Sequence, residues 1–174
     1  TGIFGAVVLV VVIGTALLAP LLVSPADMNV TKVDGPSLHP PTAGYPLGTD
    51  QAGRSVLDLV IWGTRSSLTI GLIATALTVV VGTTIGLVAG HYGGWLGRLL
   101  MQITDWVIAL PGLPLAISLA AVLGQGDASI IVAIAVTSWT GTARLVRAQT
   151  LAVSARPFVE RAKALGAGDG QVMR

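Results

Sequence analysis

"SSLTIGLIATALTVVVGTTIGLVAG", Ser66–Gly90, runs without one charged side chain. A helix needs about 20 apolar residues to cross roughly 30 Å of hydrocarbon, so this stretch is long enough to span a bilayer. Within it Gly82, Gly86 and Gly90 recur at every fourth position. They therefore stack on one face, where a second helix can approach closely. Such a ridge serves structural packing, or a contact that slides during a conformational cycle; the spacing suits both.

Outward from this run the pattern repeats. Thr1 to Ala26 and Trp106 to Gly126 are charge-free runs of similar length, and Ala128 to Ala143 is a shorter one whose end at Arg144 can snorkel. Four spans are expected, the first over Ile3 to Val23. With 53% hydrophobic and 10% charged residues among 174, the chain has too little polar surface to dress a soluble globule. An all-α integral membrane fold follows. The first run lacks a basic leading segment, and its apolar part is long for a signal peptide, so it reads as an anchor. There is no cysteine, which excludes disulfides and thiolate metal sites. His39 and His91 are isolated, so no metal site is expected. A start at Thr1 without methionine, and an end inside an apparent helix–loop unit, make the chain an expected fragment, truncated at its C-terminus.

The formal charge of +2 says little about nucleic acid, and none is expected as partner. Its distribution says more. If the spans alternate, Lys32, Arg54 and Arg65 lie on one side, and Arg98, Arg144, Arg147, Arg156, Arg161, Lys163 and Arg174 on the other. The positive-inside rule places the second group in the cytoplasm and the segment from Ser24 to Arg54 outside, in a cell or inner membrane. Three regions result: an N-terminal span in 1–24, an outer loop with an interfacial helix in 25–66, and a core of three spans with the start of a cytoplasmic loop in 67–174. Proline-rich "GPSLHPPTAGYP" forms an extended loop, ordered or mobile. "SVLDLVIWGTRSSL" has an apolar face at helical spacing, with Trp62 and Arg65 suited to an interface.

The third span begins near Arg98 and carries Asp105, two turns further on. An ionisable group at that depth faces protein or water. Asp105 is either paired across helices or placed on a solute path. Pro111 and Pro114 interrupt the backbone ladder in mid-membrane, which only protein or a water-filled cavity tolerates. Asp105, Pro111 and Pro114 are the pathway-lining candidates.

After the fourth span comes "FVERAKALGAGDGQVMR", Phe158 to Arg174. On a helical wheel Phe158, Val159, Ala162, Leu165 and Gly166 gather on one face, with Glu160 and Lys163 opposite. This helix of two to three turns, stopped by glycine in left-handed geometry, is too short to fold alone or hold a membrane. It suits a peg for a socket on another protein.

These residues resemble a known family, the permease subunits of binding-protein-dependent ABC importers. Glu160, Ala162 and Gly166 fit its E-A-A-x-x-x-G signature, with Arg161 in place of the first alanine. "LGTDQAGRS", Leu47 to Ser55, resembles the L-G-T-D-x-x-G-R-D segment of the dipeptide and oligopeptide branch, departing at Ser55. "AGHYGGWLGRLLMQITDWVIALPGLPLAI" and "WTGTARLVRAQTL" are similar to later spans of that branch, and "LLAPLL" to the first helix of its second type of permease subunit. The resemblance covers essentially the whole chain. It implies a type I importer permease fold of six membrane helices, four visible here, and a second permease subunit completing the pathway. It also implies two cytoplasmic ATPases carrying ATP and magnesium, and an external solute-binding protein. The peg becomes the coupling helix, through Phe158, Val159, Glu160, Ala162, Lys163, Leu165 and Gly166. Peptides are the implied solute, with glutathione or nickel complexes as alternatives on the same machinery.

No G-x-x-x-x-G-K-[ST] loop is present, so nucleotide chemistry belongs elsewhere and the chain is not expected to be an enzyme. "GQGD" at Gly124 to Asp127 matches an intramembrane aspartyl protease pattern. Its aspartate is separated from Asp105 by roughly 33 Å of helix, too far to share a site. A secondary transporter or channel using Asp105 is the rival from another class, but it leaves the peg unexplained.

Overall fold

The computed structural model describes residues 2–24 and 35–172. Lys32 and Arg174, two of the charges behind the expected orientation, lie outside the described residues, as does the side chain of Lys163. Two compact units form, Thr1–Gly71 and Leu72–Arg174.

In the first unit α1, Gly2–Leu22, is apolar along its whole length. At about 1.5 Å per residue it matches the thickness of a hydrocarbon core. The loop 35–55 that follows is ordered, and the motif residues order it. Asp50 is its organiser: its carboxylate accepts the backbone N–H of Ala52 at 2.8 Å and of Arg54 at 2.9 Å, and the Arg54 side chain at 2.7 Å. The Arg54 N–H above all holds the Asp50 carboxyl below the usual carboxylate range; desolvation opposes it, and the Arg54 side chain and the Ala52 N–H add to the lowering. The Thr49 hydroxyl donates to the Pro36 carbonyl and accepts the His39 N–H. Gly48 and Gly53 take φ of 77° and 82°, which side chains other than glycine rarely tolerate. Gly53 also lies so close to the backbone of Gly35 that neither could carry a Cβ.

Ser55 then starts α2, Val56–His91, by accepting the Asp58 N–H at 3.4 Å. The expected interfacial helix is not a separate element: it forms the first turns of α2, whose 36 residues run through Gly63 and Ser66 without a break. Nothing interrupts it, because a glycine within a helix costs only about 1 kcal/mol and no proline intervenes. At about 54 Å it exceeds the hydrocarbon thickness. Trp62 and Arg65, expected at the interface, stack with the guanidinium 5.7 Å from the ring centre.

In the second unit α5, Asp127–Ser154, is the element on which α2, α3, α4 and α6 pack. The glycine ridge of α2 lies against it. A Cβ on Gly82 would fall 2.7 Å from Trp139 O, on Gly86 2.5 Å from Ala143 O, and on Gly90 2.7 Å from Thr150 Cβ. The expected ridge is therefore a helix–helix contact at backbone distance. α3, Gly94–Ala109, turns Gly97, Met101 and Thr104 inward. α4, Gly112–Leu123, follows at an angle of 88° and packs on α5.

Among the described residues three helices, α1, α2 and α5, are thus long and apolar enough to cross a membrane, and the bent pair α3 and α4 supplies a fourth candidate span. The break falls at Leu110 and Pro111, as the prolines led one to expect. Pro114 does not add a second break: it sits in the first turn of α4, where its missing N–H would have had no intrahelical partner.

Candidate pathway face and coupling helix

Asp105 is exposed in the second half of α3 and Arg144 in α5, and Arg144 Nη2 donates to Asp105 Oδ1 at 2.6 Å. The partner of Asp105 is therefore across the helix pair and not Arg98 of its own helix. Both side chains remain about half exposed, 57% and 51%. An ion pair this open on membrane helices needs protein or water over it. The Arg144 contact also separates Asp105 from Asp127, because Arg144 and Asp127 stand roughly 25 Å apart along α5. The paired-aspartate chemistry stays excluded even though the intervening chain is bent. Beside the ion pair runs a groove of about 250 Å³ whose lining includes Met101, Arg147 and Leu151.

The C-terminal end of α5 passes through Ala155 and Arg156 into α6, Pro157–Ala164. α6 is one short helix with a defined stop. Gly166 has φ of 89° and Ala167 N–H reaches back to Ala162 O at 3.0 Å, the long bond of a Schellman motif. Its apolar residues divide. Val159 is 5% exposed and fastens the helix to its own chain, whereas Phe158 and Leu165 are 59% and 90% exposed. The outward apolar surface is thus narrower than the wheel implied, with Glu160 exposed beside it. Pro111 and Pro114 are exposed as well, but nothing brings them together with the ion pair in one site.

One contact has no sequence signal. α7, Asp169–Val172, begins with Asp169, whose Oδ1 lies 3.0 Å from Nε2 of the buried His91 at the end of α2. The segment after the peg is thereby tied to the helix that carries the glycine ridge. Four-residue and longer spacings read from sequence cannot reveal a contact between residues 91 and 169.

The segment holding these features, residues 82–174, matches the family model described as binding-protein-dependent transport system inner membrane component. The chain belongs to this family. The resemblance read from the coupling-loop signature and "LGTDQAGRS" is borne out at that level. Among its relatives, a glutathione transport system permease protein of Pectobacterium atrosepticum is 39% identical over 133 residues, 76% of this chain and 44% of that protein. A dipeptide transport system permease protein of Alkalihalophilus pseudofirmus is 33% identical over 171 residues, 98% of this chain and 56% of its own. A second glutathione transport system permease protein, from Shigella dysenteriae serotype 1, is 39% identical over 140 residues, 80% and 45% of the two chains. The chain spans about half the length of the curated relatives it matches. As an inner membrane component with several apolar helices, it is a multi-pass membrane protein.

Proposed function

We propose that the chain is part of the permease subunit of an ATP-driven importer. With a second permease subunit it forms the pathway for peptides delivered by an external solute-binding protein. Two cytoplasmic ATPases, which hold the ATP and magnesium, drive it through α6. The observation that carries this reading is the pair of exposed apolar residues, Phe158 and Leu165, on a short, firmly terminated helix inside the family-matched segment. Such a helix has no use of its own in water and suits a cleft in a partner. Asp105, Pro111 and Pro114 belong to the pathway face, because a half-exposed ion pair and a broken span both call for water or protein beside them. The engagement of Asp105 by Arg144 also speaks against its use as a proton or cation site in a secondary transporter.

Relatives named for dipeptides and for glutathione leave two solutes in view, and the same assay separates them. The full-length protein, reconstituted in proteoliposomes with its partner subunits, is expected to take up a dipeptide only when both binding protein and ATP are supplied. Uptake of glutathione in place of the dipeptide would change the solute and keep the mechanism. Uptake that runs without ATP, on an ion gradient alone, would refute the importer.

A further inference from the structure

We propose that the groove between α3 and α5 is a transient binding site for a carboxylate of the passing solute, with Arg147 as the group that receives it. This rests on the reading of α3 and α5 as pathway helices. The groove is lined by Met101, Asp105, Arg144, Arg147, Ala148 and Leu151. Two guanidinium groups and one carboxylate leave a net charge of about +1 there, since arginine stays protonated. Asp105 and Arg144 satisfy each other. Arg147 is one turn further along the same helix face, and its Nε is buried with no hydrogen-bond partner among the described residues.

Nε itself is closed to solvent, so an arriving carboxylate is met by the part of the Arg147 side chain that lines the groove, through a charge-assisted bond to its guanidinium. The seat of Arg147 is rigid. A Cβ on Gly86 would lie 3.1 Å from its backbone nitrogen, and one on Gly90 3.2 Å from its carbonyl oxygen, so its backbone is held closely against the α2 ridge. The remaining lining, Met101, Ala148 and Leu151, is apolar and suits the aliphatic part of a small organic acid. At about 250 Å³ the groove is below the usual range for whole drug-sized ligands, roughly 300–1,000 Å³, and takes one end of a solute. A lipid phosphate fits the charge less well in context, because its acyl chains would lie against the exposed Asp105–Arg144 pair.

These 174 residues contain no cysteine, so Ala148→Cys, in the complete complex with every other cysteine of the subunit and its partners replaced, in nanodiscs, gives a clean reporter beside Arg147. The expected result is faster modification by anionic sulfonatoethyl methanethiosulfonate than by its cationic trimethylammonium counterpart. Adding Arg147→Gln should lower that ratio by roughly tenfold, as removal of one nearby charge in a partly desolvated site does. Dialanine should slow modification and dialanine amide should not. Reaction indifferent to reagent charge, or equal effects of acid and amide, would overturn the carboxylate site while leaving the pathway intact. Slowing that follows the phosphatidylglycerol content of the nanodiscs instead would assign the groove to lipid. No reaction in the complex, with reaction restored when the second permease subunit is omitted, would make this face a subunit interface and overturn the pathway reading too.

Discussion

Gly86→Leu is expected to abolish accumulation of the folded protein. An added Cβ at Gly86 meets Ala143 O at 2.5 Å and Val146 Cβ at 2.8 Å. The first obstacle is backbone, which cannot rotate away. Overpacking of a well-filled site costs about 1–3 kcal/mol when side chains can yield, and more when helices must separate. The hydrophobic effect offers no compensation between helices in lipid, where close van der Waals contact itself holds them together. Even Gly86→Ala should lower the detergent-solubilised melting temperature measurably. Gly63→Ala, on the same helix but with no neighbour within 4 Å, is the control and should be neutral or slightly stabilising. A normal melting temperature for Gly86→Leu would show that α2 and α5 do not meet at backbone distance.

Gly166→Val should leave membrane insertion unchanged and weaken docking of the ATPase subunits about tenfold. No atom lies within 4 Å of a Cβ placed there, so the whole effect comes from φ of 89°. A β-branched residue in left-handed geometry costs at least about 1–2 kcal/mol, and escaping that geometry dissolves the Schellman stop of α6. Phe158 and Leu165 are then no longer presented together. Gly166→Asn, which tolerates the left-handed region better, should recover much of the loss. Glu160→Ala should be milder than either, because it removes an exposed charge. Co-purification of the ATPase subunits measures all three. Equal docking by the valine and asparagine variants would mean that the helix stop has no part in the contact.

The features that sequence made legible are those set by local spacing. Charge-free length located the spans, the four-residue glycine period located the α2–α5 contact, and the glycine after "ERAKAL" located the end of α6. Each depends on a period or a backbone rule that acts within a few residues. The 88° bend was foreseen as a break, but its angle depends on how α4 packs against α5. The continuity of α2 was hidden because charged Asp58 and Arg65 resemble the edge of a membrane segment, while a helix tolerates them wherever it leaves the hydrocarbon. Val159 shows the limit of a helical wheel, which counts apolar residues without saying which neighbour each one meets. The Arg144–Asp105 and His91–Asp169 contacts join distant parts of the chain, and only the fold brings them together. The role of Asp50 was present as a motif, yet its reason, two backbone amides and one guanidinium gathered on one carboxylate, is a matter of three-dimensional turn geometry.

The central claim is that α6 seats its outward apolar surface in an ATPase subunit, and site-specific cross-linking measures that directly. Leu165, 90% exposed, is replaced by cysteine in a subunit whose other cysteines, if present outside these 174 residues, have been removed, and single cysteines are placed along the cleft of the ATPase. Oxidation in membrane vesicles of the assembled transporter is expected to give one dominant cross-linked pair that changes in yield when ATP is bound. A Leu165→Cys variant that forms no cross-link to any cleft position, while the same complex imports its solute at the wild-type rate, would contradict the coupling role of α6.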